Sequence, residues 1–122
     1  MFYAHVNGKV LKILAAENSS ADAFLDLLKS GDMSVEMHDY GSFEKVGLLG
    51  TTLPRNDEQT TTEPGDVILY QGDQITIYYD VNSWSFTRLG KVQDLSQAEL
   101  KEILGSGNVT VTFSLLKNKP CS

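Results

Sequence analysis

The stretch Pro64-Gly65-Asp66-Val67-Ile68-Leu69-Tyr70-Gln71-Gly72-Asp73-Gln74-Ile75-Thr76-Ile77-Tyr78-Tyr79 decides the fold. Val67 to Tyr70 is an unbroken apolar run, whereas Ile75, Ile77 and Tyr79 alternate with Thr76 and Tyr78. Between them, Gln71-Gly72-Asp73 supplies the glycine that a short hairpin loop needs at positive φ. The segment reads as a β-hairpin. A strand without polar relief is buried on both faces, so this hairpin is expected to cross the middle of a closed or sandwiched sheet.

The flanking chain repeats the theme. Asn7-Gly8 is a strong two-residue turn signal, because both residues accept the positive φ of a type I′ turn. It pairs Val6 with Lys9, Ala4 with Leu11 and Phe2 with Ile13, which gathers the apolar residues on one face and leaves Tyr3, His5 and Lys12 on the other. A slip of one residue would bury Lys12 and His5, so the pattern enforces its own register. Met33 to His38, Phe43 to Leu49, Trp84 to Leu89 and Asn108 to Phe113 are further strands, and Trp84, Phe86 and Arg88 share a face. Asp39-Tyr40-Gly41-Ser42 reads as a turn.

Two helices interrupt the strands. Ala21 to about Ser30 has Ser19 or Ser20 as N-cap, Asp22 in its first turn, an apolar stripe of Ala21, Phe24, Leu25 and Leu28, and Gly31 as its stop. Ser96 and Glu99 form a capping box with a Leu95–Leu100 staple, so Leu100, Ile103 and Leu104 face the core. Thr51 to Glu63 is polar, aperiodic and long, a connection of the kind that is functional or mobile. The expected architecture is mainly β: a compact antiparallel barrel of about eight strands with two short helices at its ends. A single domain over 1–116 is followed by a polar tail, 117–122.

Composition narrows the function. At 122 residues the chain is one domain that buries roughly two thirds of its unfolded surface. The net charge of −6 comes without any Lys/Arg cluster, which argues against nucleic acid, whose phosphates need the opposite sign. No apolar run approaches the roughly 20 residues of a membrane span. The start, Met1 to Gly8, has neither a basic nor an apolar leader, so a cytoplasmic location is expected. The single cysteine, Cys121, cannot form an internal disulfide or a cysteine-based zinc site. His5 and His38 are not spaced as metal ligands, and no metal or cofactor is expected.

The order of elements resembles the cyclophilin fold, and more closely the small prokaryotic cyclophilin-like domains. Val6-Asn7-Gly8-Lys9-Val10 is similar to the family's I-G-G-K start, and Ser20 to Leu28 to its T-A-E-N-F-x-x-L helix. Pro64 to Tyr70 resembles the P-G-x-L-S-M strand, and Thr87-Arg88-Leu89-Gly90-Lys91-Val92 parallels V-V-F-G-K-V. The resemblance implies a peptidyl-prolyl isomerase ancestry. Such enzymes lower an amide rotation barrier of about 18–20 kcal/mol by aiming an arginine at the twisting proline nitrogen while an apolar pocket holds the ring. The family's H-R-x-x-P-G-F segment corresponds here to His38-Asp39-Tyr40-Gly41-Ser42-Phe43, with Asp39 in place of the arginine. Its histidine has become Phe86, its tryptophan matches Trp84 loosely, and its pocket-floor aromatic falls near Thr76.

Only two arginines exist in the chain, so an arginine-based isomerase has to use Arg55, in the long connection, or Arg88, on a strand. The alternative for Arg88 is a guanidinium stacked on an aromatic and paired with an acid; for Arg55 it is an exposed loop charge. Tyr40, Phe43, Tyr70, Tyr78, Trp84 and Phe86 serve either as packing or as one wall of a groove for a peptide or a small apolar molecule, with 51–63 as its lid. The leading expectation is a binding domain that lacks the isomerase arginine, acting as a monomer or weak dimer. The alternative is an isomerase that uses Arg55 or Arg88.

Overall fold

The structure, a computed structural model, describes residues 1–40, 44–105 and 107–115, with the backbone alone at Tyr40. The chain runs β1 (Phe2–Val6), β2 (Lys9–Ala15), α1 (Ser19–Lys29), β3 (Met33–Tyr40), β4 (Glu44–Leu48), β5 (Glu58–Thr61), β6 (Asp66–Tyr70), β7 (Gln74–Tyr78), β8 (Ser83–Val92), α2 (Gln97–Leu104) and β9 (Val109–Ser114). All strand pairs are antiparallel, in the order β2-β1-β9-β3-β4-β7-β6-β8, and a β2–β8 pairing closes the circle into an eight-stranded barrel. The expected barrel is therefore present, with β5 added outside it along β8.

Local sequence dictates the registers. Asn7 and Gly8 hold φ of 50° and 75°, and the pairs Val6↔Lys9, Ala4↔Leu11 and Phe2↔Ile13 form as anticipated. In the central hairpin Tyr70 pairs with Gln74 across Gln71-Gly72-Asp73, with Gln71 and Gly72 both at positive φ. The first helix begins on Asn18, not on Ser19 or Ser20: the Asn18 side chain accepts from the Ala21 N–H at 2.7 Å. Ser20 is buried instead, and its hydroxyl donates to the Pro54 carbonyl. The capping box of Ser96 and Glu99 is made in both directions. Asp39 and Tyr40 continue β3 where a turn was expected; Gly41, Ser42, Phe43, Ser106 and the 117–122 tail lie outside the described residues.

The barrel interior holds the main core. Phe2, Phe24 and Phe113 stack edge to face beneath α1, with Leu11, Ile13, Val67, Leu69, Ile75, Ile77 and Leu89 around them. β8 closes this space by changing partners along its length. Ser83 to Phe86 pair with β5, Thr87 to Lys91 with β6 past a bulge at Val67/Ile68, and Gly90 to Val92 with β2. At the seam a Cβ on Gly90 would lie 2.7 Å from Ile13 Cγ2 and from the Leu14 carbonyl oxygen, so only glycine lets β2 and β8 meet.

At one mouth Lys45 is fully buried and reaches Asp39 Oδ1 at 2.8 Å and the Gly107 carbonyl at 2.5 Å. Asp39 also accepts from the Tyr79 hydroxyl and the Gly107 N–H. Desolvation raises the Asp39 carboxyl, but these donors outweigh it and hold the group below the usual carboxylate range. The acid that stands where the family's arginine was expected thus anchors a latch between β3, β4, β7 and the loop before β9.

Residues 51–63 are not a loose lid. Leu53 is buried, with its N–H on the Gly72 carbonyl. The Asn56 N–H donates to Thr87 Oγ1 at 2.8 Å, and that hydroxyl donates to Asp57 at 2.6 Å. Glu58 to Thr61 form β5, which strand patterning missed because a short, exposed edge strand carries no apolar alternation. Among the described residues, no helix is long and apolar enough to cross a membrane.

Gly90→Ala is expected to lower stability by roughly 1–3 kcal/mol, the usual range for overpacking a dense interior. Urea titration followed by tryptophan fluorescence measures this. A variant as stable as wild type would show that the seam is not tightly closed.

Candidate functional site

Alternation gives every strand of the barrel a second face. On β4, β7 and β6, and on β8 as far as Arg88, the even-numbered residues point away from the main core, and cross-strand pairing sets them side by side. Glu44 lies opposite Tyr78, Val46 opposite Thr76, and Tyr70 opposite Gln74. On this outer face Ile68, Tyr78 and Phe86 form a second, smaller buried cluster with Tyr70 packed against it. Phe86 meets Tyr78 at 5.5 Å and Tyr70 at 6.1 Å between ring centroids, both at inclined angles. Burial on both sides is what the apolar run of β6 anticipated.

A half-open pocket of about 330 Å³ is set into this face. Tyr70, Tyr78, Phe86 and Trp84 form its aromatic walls, β4 contributes Glu44 and Val46, and Gln74 and Asn82 complete the rim. Trp84 is 60% exposed, so it stands as a projecting wall and not as core. Asn82 Nδ2 lies 3.5 Å from the Tyr78 hydroxyl and orients that corner.

Four of the aromatic residues expected to share a wall, Tyr70, Tyr78, Trp84 and Phe86, are thus brought together. Thr76 is fully buried beneath them, on the same outer face. Phe43 and the side chain of Tyr40 lie outside the described residues. Neither arginine lines the pocket. Arg55 pairs with Asp57 near the start of α1. Arg88, on the outer face opposite Ile68, reaches the buried carboxylate of Asp66 at 3.2 Å. Asp66 Oδ2 also takes the Glu63 N–H, while its Oδ1 has no partner among the described residues, so Arg88 supplies part of what keeps this acid satisfied.

Sequence reasoning missed Glu44, Val46, Gln74 and Asn82. For the first three the signal was present: they occupy the same parity as Thr76 and Tyr78 once β4 and β7 are aligned. The alignment itself is a tertiary fact.

Glu44 is the unusual member. Only 7% of its surface is exposed. Burial pushes its carboxyl up from the usual 4.5 to about 7, and the nearby hydroxyls of Tyr78 and Thr76 offset only part of that. Tyr78 is likewise raised well above an ordinary phenol, by desolvation first and then by the neighbouring carboxylate.

Two outcomes follow. A carboxyl whose pKa is raised on folding binds its proton more tightly in the native state, so stability falls as pH rises from about 4.5 to about 7. Glu44→Gln removes this loss: relative to wild type it should gain roughly 1–3 kcal/mol between pH 4 and pH 8, read from urea titrations at each pH. A pH-independent difference would place Glu44 in water. Arg88→Ala should cost roughly 1–3 kcal/mol by leaving Asp66 less satisfied; an unchanged denaturation midpoint would contradict the pairing.

Comparison with known proteins agrees with this architecture. The chain superposes on the structure of McbB in complex with tryptophan with a TM-score of 0.73 at 13% identity, covering 100% of this chain and 47% of that one. It therefore spans about half the length of McbB, and at this identity the likeness is one of fold. No curated protein matches the chain. The model of the Cyclophilin-like family matches residues 4–114, nearly the whole barrel from β1 to β9, and the chain belongs to that family.

Proposed function

We propose that this protein is a binding domain that accepts a small ring-bearing molecule in the pocket on the outer face of β4, β7, β6 and β8. The observation that carries the reading is the convergence of four aromatic side chains around about 330 Å³ of open space, near the lower end of the roughly 300–1,000 Å³ typical of ligand pockets. Such a volume suits one ring and its substituent. The bound tryptophan of McbB is an example of an aromatic ligand in a protein of this fold. That no arginine is among the described residues of the pocket supports binding over prolyl isomerisation. The step needs a donor aimed at the amide nitrogen, and both arginines are engaged with carboxylates elsewhere.

Benzyl alcohol serves as a neutral ring-bearing probe, titrated into ¹⁵N-labelled protein. The expected result is saturable shifts of the Trp84 indole and Asn82 side-chain amide signals, weakened severalfold in Trp84→Ala. That residue is exposed enough to remove without emptying the core. A proline-peptide isomerisation assay should run at the uncatalysed rate. Catalysis abolished by Arg55→Ala or Arg88→Ala would overturn the reading in favour of an isomerase.

A further inference from the structure

The pocket is electrically one-sided. Among the described residues its ionisable groups are Glu44 and two tyrosines, and none of those lining it is a lysine or an arginine. Lys45, the next residue in the chain, points the other way into the barrel, where it is committed to Asp39 and Gly107. Arg88 shares the outer face but is held by Asp66 one row along β6. A carboxyl this deeply buried is costly to ionise unless a positive charge comes close. The rings around it are suited to the same kind of guest, because aromatic faces attract cations through their quadrupole. A neutral ligand would leave the carboxylate uncompensated, and an anion would add repulsion in a chain of net charge −6.

Building on the pocket reading above, we propose that the ligand is a small organic ammonium whose charge sits against Glu44 and whose apolar body packs among Tyr70, Tyr78, Trp84 and Phe86. The carboxylate fixes the position of the ammonium, and the rings exclude water from the pair. Binding draws the carboxyl into its charged form, so uptake of the ligand near neutrality expels a proton. The groups that face Glu44 are few. Thr76 and Tyr78 face it from β7, Asn82 stands beyond Tyr78, and Tyr70 on β6 lines the same pocket. Asp39 on β3 and Lys45 on β4 itself turn inward; along β3, Tyr40, whose side chain is outside the described residues, lies opposite Glu44, and His38 lies opposite Val46.

The test compares benzylamine with benzyl alcohol, which has the same ring and no charge. At pH 8 the amine is expected to bind at least tenfold more tightly than the alcohol, by the shifts of the Trp84 indole signal. Its advantage should shrink as pH falls from 8 to 5, and His38→Ala should leave that profile in place. In Glu44→Gln the amine should lose its tenfold advantage and fall to the affinity that the alcohol has for the same variant. Calorimetry of the wild type in phosphate and in Tris at pH 7 should show net proton release with benzylamine and none with benzyl alcohol, a readout that needs no variant. Equal affinities for the two probes, or amine binding that survives Glu44→Gln, would overturn the ammonium assignment and leave the aromatic pocket standing. Failure of both probes to bind would overturn both.

Discussion

The meeting of β8 with β2 is the constraint on which the rest depends. Gly90 brings the backbones of the two strands together where any side chain would strike Ile13 and the Leu14 carbonyl. Once that seam is shut the sheet has no free edge there, and every strand acquires a fixed inside and outside. The parity of each residue then becomes a statement about place: odd positions on β6 and β7 feed the barrel core, and even positions face outward. The pocket is a consequence of that sorting.

Burial on both faces distinguishes the segment β4-β7-β6-β8. Most of an antiparallel barrel can leave its outside to water, as β2 does with Val10, Lys12 and Leu14. Here the outer face carries Ile68, Tyr78 and Phe86 instead, and the rings pack at inclined angles that fill space incompletely at the open side. An acid held in that setting cannot behave like a surface glutamate. The same desolvation that raises Glu44 also raises Tyr78, and it is burial that keeps the acid protonated towards the neutral range, since the Tyr78 hydroxyl pulls the Glu44 carboxyl the other way. A surface acid would have passed unnoticed; this one gives the pocket a polarity.

The fate of the charged residues shows how the fold separates structural from functional chemistry. Asp39, Lys45, Asp66 and Arg88 are all tied into pairs that hold strands or loops in place. Asp39 is the instructive case. Read against the family pattern it is a lost catalytic group, but in the fold it closes a mouth of the barrel through Lys45, Tyr79 and Gly107. Arg88 follows the same logic, since an arginine beside aromatic residues on a strand proves to be the partner of an acid buried at the start of β6.

The sequence alone determined what is local or strictly periodic: the Asn7-Gly8 hairpin and its register, the central hairpin, and the capping box of α2. These follow from φ preferences and from the two-residue period of a strand, which act within a few residues. Tertiary structure decided which strands adjoin. It paired β5 with β8 across residues with no apolar pattern, gave α1 its cap at Asn18, and sent Arg55 and Arg88 to carboxylates away from the pocket. It also set Glu44 beside Tyr78. Nothing in the composition of a lone glutamate foretells its environment, because desolvation is a property of what surrounds a residue after the chain has closed on itself.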